Sequence, residues 1–483
     1  MAPTATETKA VLIPLAVDLD GTLIRSDMMW ESLARLLREK PLRVLAVPFW
    51  LLRGRAFLKQ QLAEQVQVPP ATLPYSEEFL AWLQEQKQAG RSLVLATASD
   101  LKMAEPVARY LGVFDAVLAS DGKTNLRDQA KLAALTRKYG ERGFDYAGNS
   151  SVDLEVWQGS RQAIVVNASQ ALKRDAEQCA KVGAYFPNNS STPRLLLQCL
   201  RPHQWIKNLI IFVPLLTAHQ LGDKASLARA AVAFAAFCLC ASAVYLLNDL
   251  LDLEADRHHP TKRHRPFASG YLPLQYGLFG APLLLALALV VGLALTGKFI
   301  AVAAFYFLAA GSYSWRLKQI PLLDVLCLAG LYTLRLVAGH VATGIAWSAW
   351  LLVFSMFIFL SLALMKRFQE LQIVRQQNGN AVKGRGYTAG DLQLVITLGL
   401  VSGFIAVLVL ALYVNSDQVV KLYSHPTALL LVCPLLLYWI ARVWFLAHRG
   451  QMHDDPTAFA FKDWVSYAVG ALTLVVMWLA TGH

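Results

Sequence analysis

Asn248-Asp249-Leu250-Leu251-Asp252-Leu253-Glu254-Ala255-Asp256-Arg257-His258-His259-Pro260-Thr261-Lys262-Arg263-His264-Arg265-Pro266 closes a long apolar run and opens a basic loop. On a helix Asp249, Asp252 and Asp256 fall at i, i+3 and i+7, one face, with Asn248 four residues before Asp252. Three acids on one face repel each other unless a cation sits among them. Mg²⁺ bridging a diphosphate suits them, because it prefers oxygen ligands and shares its shell with substrate phosphates. Lys262 and Arg265 in the following loop are then placed to hold the remaining phosphate oxygens.

The apolar run before this motif is one of a series. The chain has 483 residues, 55% of them hydrophobic, and a mean hydropathy of +0.40, too apolar for a wholly soluble protein. The excess begins near residue 205, beyond a turn-rich linker at 186–194 that contains Asn188, Asn189, Ser190, Ser191, Thr192 and Pro193. Runs long enough to cross a bilayer predict nine spans: 208–221, 230–250, 273–295, 299–315, 322–341, 347–365, 392–413, 428–447 and 465–481. The segment Arg201-Pro202-His203-Gln204-Trp205 reads as an interfacial approach to the first.

The net charge of +12 invites a nucleic-acid partner, but the basic residues are not arranged for one. They collect in the loops after spans two, four, six and eight: Arg257, Lys262, Arg263 and Arg265, then Arg316 and Lys318, then Lys366, Arg367, Arg375, Lys383 and Arg385, then Arg449 and Lys462. The alternate loops carry little beyond Lys224, Lys298 and Lys421. The positive-inside rule therefore predicts cytosolic loops after even-numbered spans, a cytosolic N-terminal domain and His483 outside. Met1–Val11 has Glu7 and no adequate apolar core, so no secretory signal is expected. Six scattered cysteines show no CxxC pair and no metal-ligand spacing.

Residues before about 190 mix polar and apolar positions as a globular domain does. Val11–Leu19 reads as a buried strand running into Asp18-Leu19-Asp20-Gly21-Thr22. Two carboxylates two residues apart at a strand end point the same way, and Gly21 allows the turn. One can attack phosphorus while its neighbour serves as general acid and base. Leu93–Ser99 reads as a second buried strand, ending in hydroxyl side chains.

This motif resembles the signature of the haloacid dehalogenase (HAD) phosphatases, an α/β Rossmann-like fold with a cap insertion. The resemblance implies Asp18 as nucleophile, Asp20 as acid and base, and Thr97 with Lys131 as phosphate ligands, Lys123 being a rival for the lysine. It implies a Mg²⁺ site at Asp18, Asp20, Asn149 and Asp153, where Asn149 stands in place of the usual acid and binds the ion more weakly. It covers about residues 10–185 and places the cap at about 26–90, within a domain spanning 1–187 and followed by a linker at 188–200. Inside the cap, Pro41–Leu52 is apolar yet too short to span. It is either cap core or an apolar surface resting on the membrane or on the second domain.

Residues 201–483 resemble the UbiA superfamily, an all-α polytopic membrane fold whose members use a diphosphate as leaving group. NDxxDxxxD followed by RPxxxG resembles its first metal motif, implying Mg²⁺ on Asn248, Asp249, Asp252 and Asp256, with Asp249 and Asp252 catalytic. The DRHHPTKRHRP form resembles one branch, the decaprenyl-phosphate phosphoribosyltransferases, as do Leu200–Asn208, Tyr313–Lys318, Asp324 with Arg335, Lys366–Leu371 and Arg385–Tyr387. The aromatic prenyltransferases of the superfamily carry a second DxxxD after span four. Here Asp324 has Ile320 and Leu328 four residues either side, among Arg316, Lys318 and Arg335. A mostly basic wall suits further phosphates, held by Lys207, Lys318, Arg335, Lys366 and Arg367.

The resemblances together imply transfer of 5-phosphoribose from 5-phosphoribosyl diphosphate to a polyprenyl phosphate, then removal of the 5-phosphate by the fused domain. Two other readings stay open. One is prenylation of an aromatic acceptor by a polyprenyl diphosphate. The other makes the first domain a regulatory or assembly module. Homo-oligomerisation is left open as well.

Overall fold

Leu15-Ala16-Val17 is buried on both faces, as a strand in the middle of a parallel sheet must be. The structure, a computed structural model, describes residues 12–121, 126–188, 190–376, 379, 385–452 and 455–482. Lys123 and His483 lie outside the described residues. The strands are β1 (Leu15–Val17), β2 (Leu93–Asp100), β3 (Ala116–Ser120), β4 (Asp145–Gly148), β5 (Gln162–Ala168) and β6 (Lys181–Pro187). They form one parallel sheet in the order β3-β2-β1-β4-β5-β6. Alternate side chains feed opposite cores: Leu15, Val17 and Leu95 pack with Phe79, whereas Ala16, Ala96 and Tyr146 pack with Trp157. Fully buried Asp145 is held by Arg91 and Arg161, which anchors the start of β4.

The strand order reverses at β1, which lies between β2 and β4. A crevice beyond the carboxyl ends of such strands is where open parallel sheets bind ligands. The long connection from β1 to β2 holds the helices Met28–Glu39, Val47–Leu52, Arg55–Gln65 and Glu77–Gln88.

The chain divides into two compact units, Met1–Leu200 with Asp249–Gly280, and Arg201–Asn248 with Ala281–His483. The acid segment thus belongs to the first unit, and Arg257 supplies the reason. Its guanidinium meets Glu31 twice, Nη1 to Oε2 at 3.0 Å and Nη2 to Oε1 at 2.6 Å. It also donates to the carbonyls of Thr72 at 3.0 Å and Ala268 at 2.9 Å. Glu31 is 3% exposed, so this pair is sheltered from water.

Six helices among the described residues are long and apolar enough to cross a membrane: Lys224–Leu251, Gln275–Gly292, Leu323–Thr343, Ala349–Gln376, Ala389–Val414 and Pro426–His448. They make this an integral membrane protein. The other three expected spans differ. Gly297–Trp315 is a 19-residue helix in place, and Trp464–Ala480 has 17 residues. The first is no single helix, being a 3₁₀ stretch over Pro202–Phe212 and then the short helix Val213–Thr217. Each of the two pieces has proline in its first turn, where its missing N–H costs nothing but the preceding turn is stopped.

Candidate active sites

The ends of β1, β2 and β4 bring the expected phosphatase residues together. Lys131 Nζ lies 2.8 Å from Asp18 Oδ1 and 2.8 Å from the Tyr146 hydroxyl. That hydroxyl donates to Asp153 Oδ1 at 2.9 Å. Asp20 is held at both oxygens, by the Met28 N–H at 2.8 Å and the Ser99 hydroxyl at 2.6 Å. Thr97 is fully buried and accepts the Ser99 N–H at 3.0 Å. Burial pushes the Asp18 carboxyl up to about 7, with Lys131 pulling against it and Asp153 and Asp20 adding to the rise.

Asn149 occupies the place of the usual acid. Its carbonyl oxygen accepts the Thr22 hydroxyl at 3.3 Å. A Cβ at Gly21, where φ is +77°, would sit 2.2 Å from its amide nitrogen, so the close approach of turn and amide requires glycine. Asn167 ties the same turn down, donating to the carbonyls of Gly21 at 2.9 Å and Thr22 at 3.0 Å. Asp153 accepts the N–H groups of Asn149 and Ser150 at 2.9 and 3.0 Å, which fixes the loop after β4. Sequence reasoning did not find Tyr146 or Asn167, and it saw Ser99 only as a hydroxyl at the end of the second strand.

The acid segment departs from one continuous helix. The helix Lys224–Leu251 ends just before Asp252, which takes φ −95° and ψ 7°, and a five-residue helix follows at Leu253–Arg257. Asp249 and Asp256 are each 3% exposed and converge on Arg265, whose Nη1 lies 3.2 Å from Asp249 Oδ1 and 2.6 Å from Asp256 Oδ2. Burial raises the Asp256 carboxyl and Arg265 opposes the rise. No group of three or more His, Cys, Asp or Glu side chains close enough to hold a metal occurs among the described residues. The donor chemistry nonetheless fits a hard cation, since two carboxylates already share one positive charge.

In the second unit the expected basic residues fall into two clusters. Asn208, fully buried, accepts Arg335 Nε at 2.8 Å, and Arg335 also donates to the Tyr306 hydroxyl at 2.8 Å and the Leu331 carbonyl at 2.6 Å. The Arg335 guanidinium lies over the Tyr332 ring at 5.4 Å, and Lys207 Nζ lies 5.8 Å from the same ring. Asp455 joins the lysines, 3.7 Å from Lys207 and 2.8 Å from Lys366. Burial raises the Asp455 carboxyl, but Lys366 and Lys207 outweigh it and hold the group well below the usual carboxylate range. Burial also lowers the Lys207 ammonium, against the pull of Asp455. Asp455 has no motif around it and was not foreseen.

Arg367, next to Lys366, belongs to the other cluster. Its Nε meets Asp324 Oδ2 at 2.6 Å, Nη2 donates to the Tyr313 hydroxyl at 3.1 Å, and Nη1 pairs with Glu370. Asp324 also accepts the Tyr387 hydroxyl at 2.6 Å. Arg367 is 1% exposed and Asp324 fully buried, which suits a support better than a phosphate hand. Lys318 enters this region through its backbone carbonyl, 3.4 Å from Arg385 Nη1. Gly386 closes it: a Cβ there would come within 2.5 Å of the Gln319 carbonyl.

Arg367→Met is therefore expected to destabilise the membrane unit by about 3–5 kcal/mol, because it leaves a buried carboxylate unpaired. Thermal unfolding of the detergent-solubilised protein measures this. The double variant Arg367→Met/Asp324→Leu should recover most of the loss. A single variant as stable as wild type would show the pair to be dispensable.

Fold and site define an integral membrane enzyme with a hydrolase domain joined to it. Residues 209–466 match the UbiA prenyltransferase family, and residues 15–157 match the haloacid dehalogenase-like hydrolases. The chain belongs to the UbiA prenyltransferase family. It is 38% identical over 464 residues to uncharacterized protein y4nM of Sinorhizobium fredii, covering 95% of this chain and 89% of that one. The nodulation protein NoeC of Azorhizobium caulinodans is 35% identical over 285 residues, 59% of this chain and 91% of its own. Decaprenyl-phosphate phosphoribosyltransferase of Mycolicibacterium smegmatis is 40% identical over 210 residues, 42% of this chain and 65% of its own.

Proposed function

We propose that this enzyme moves 5-phosphoribose from 5-phosphoribosyl diphosphate onto a polyprenyl phosphate, and that its hydrolase domain then removes the 5-phosphate. The observation that carries the reading is the cluster of Lys207, Arg335 and Lys366, three cations with Asp455 as the carboxylate between the lysines. Such a set suits several phosphates better than a second metal, and donor and acceptor together bring four. The likeness to a decaprenyl-phosphate phosphoribosyltransferase supports the same substrates.

Asp249 and Asp256, with Asn248 and Asp252 beside them in sequence, are the residues that would hold Mg²⁺. When bound, the ion withdraws charge from the leaving diphosphate. Arg265 keeps the two acids neutralised between turnovers and, with Lys262, takes diphosphate oxygens during them. Lys207 and Lys366 orient the phosphates, with Arg335, buried and bonded to Asn208, Tyr306 and Leu331, adding positive charge, so that a lipid phosphate oxygen can attack the anomeric carbon while the bond to diphosphate breaks. Lys318 adds charge, and Arg367 acts by holding Asp324 in place.

In the hydrolase domain Asp18 attacks phosphorus. Asp20 gives a proton to the departing ribosyl oxygen and then activates water against the acyl phosphate. Thr97 and Lys131 hold the phosphoryl oxygens, and Asp18, Asp20, Asn149 and Asp153 are the residues that would hold Mg²⁺, which would offset charge on the phosphoryl group.

Purified protein, radiolabelled 5-phosphoribosyl diphosphate and polyprenyl phosphate should yield a labelled lipid. Consumption of polyprenyl diphosphate with an aromatic acceptor, and no labelled lipid, would favour the prenyltransferase reading. The same proposal places Arg257, Lys318 and Arg367 on the cytosolic side, Arg367 within the helix Ala349–Gln376 and not in the expected loop. A periplasmic-type reporter fused after His483 should be active, and a cytosolic reporter there inactive. The reverse result would invert the topology.

A further inference from the structure

The stretch Pro41–Leu52 folds as a 3₁₀ turn over Pro41–Ala46 and a helix over Val47–Leu52. Its inner face accounts for its folding: Val44, Val47 and Trp50 pack against the core of the hydrolase domain. Its outer face does not. Leu42 is 83% exposed, Leu45 73%, Phe49 69% and Leu52 85%. Large apolar side chains this exposed, and adjacent, mark a surface that is covered by something apolar.

The charges around the stripe say what covers it. Lys40, Arg43, Arg53 and Arg55 are exposed at its two ends, and no Asp or Glu occurs between Glu39 and Glu64. Lys40 and Arg43 meet the uncharged Gln65, and none of the four pairs with a carboxylate among the described residues. A second copy docked by a two-fold axis would set this rim against itself, like charge on like. An anionic lipid surface attracts it. The stretch is also too short to span, and it belongs to a chain already fixed in a membrane.

We propose that Pro41–Leu52 is an interfacial segment: its Leu and Phe side chains enter the boundary between head groups and acyl chains of an anionic bilayer, and the flanking arginines bind lipid phosphates. The segment holds the cap of the hydrolase domain on the membrane surface. This assignment does not depend on which reaction either site performs.

The test uses the full-length protein in vesicles of phosphatidylethanolamine and phosphatidylglycerol. Phe49 is replaced by the photoreactive p-benzoylphenylalanine, a conservative change at an exposed ring. Exposed Gln88, on the helix Glu77–Gln88, carries the same probe as a control. After irradiation, intact-mass analysis should find lipid adducts at position 49 several-fold above those at 88. Leaving out phosphatidylglycerol, or adding Leu42→Ser and Leu52→Ser, should lower the yield several-fold. Cross-links from position 49 to a second copy or to another segment of this chain, in place of lipid, would overturn the proposal. So would the absence of any adduct, or equal lipid adducts at both positions.

Discussion

Asp249→Asn is expected to lower formation of the labelled lipid by a factor of at least about 10²–10³, the scale on which one electrostatic partner of a developing charge contributes. The carboxylate is 3% exposed and shares Arg265 with Asp256. The amide keeps the shape, and Arg265 keeps its shorter contact to Asp256, so the loop should stay folded. What is lost is one of two negative charges converging on a cation position. Transfer is read by scintillation counting of extracted lipid, and unfolding temperature is read alongside. Loss of transfer at unchanged stability is the expected pair of results. Transfer at more than about a tenth of the wild-type rate would remove Asp249 from the leaving-group site, since a group of that role contributes far more.

The parts that were legible in the sequence are those whose chemistry is local. Asp18 and Asp20 lie just beyond β1, which is shorter than the expected strand Val11–Leu19, and their spacing of two at its end was enough to mark them as a pair. Thr97 and Ser99 likewise sit two apart at the end of β2. Tyr146 was not legible. It is one apolar-looking position in β4, and its importance comes from Lys131 and Asp153 reaching it from elsewhere.

Lys366 and Arg367 show a different limit. Neighbours on a helix point about 100° apart, since 3.6 residues make a turn. Two adjacent cations therefore cannot serve one ligand equally. Lys366 turns to Asp455 and Arg367 to Asp324. Composition made them look alike, and only the packing of the helix separates them. The segment 208–221 misleads in the same manner: its apolar content suggests a span, while Pro214 and the buried Asn208–Arg335 bond hold it in another form.

Asp18→Asn is expected to leave phosphoribosyl transfer intact and to make the phosphorylated lipid accumulate. The amide cannot attack phosphorus, so the second step should fall by several orders of magnitude, as it does when a nucleophile is removed elsewhere. Transfer should continue, because Asp18 lies at the end of β1 and takes no part in the acid segment or the basic cluster. Lys131 keeps the Tyr146 hydroxyl as a partner, which limits the structural cost. Both sites belong to one chain, so the proposal has product of the transfer step meet the hydrolase at raised effective concentration. Wild type should therefore give mostly the dephosphorylated lipid and Asp18→Asn mostly the phosphorylated one, while Asp249→Asn gives neither. Mass analysis of the lipids made by each variant distinguishes the three patterns. If wild type and Asp18→Asn yield the same phosphorylated lipid, the hydrolase domain does not process this product. Asn149, which binds Mg²⁺ more weakly than a carboxylate would, then becomes the mark of a regulatory or assembly module.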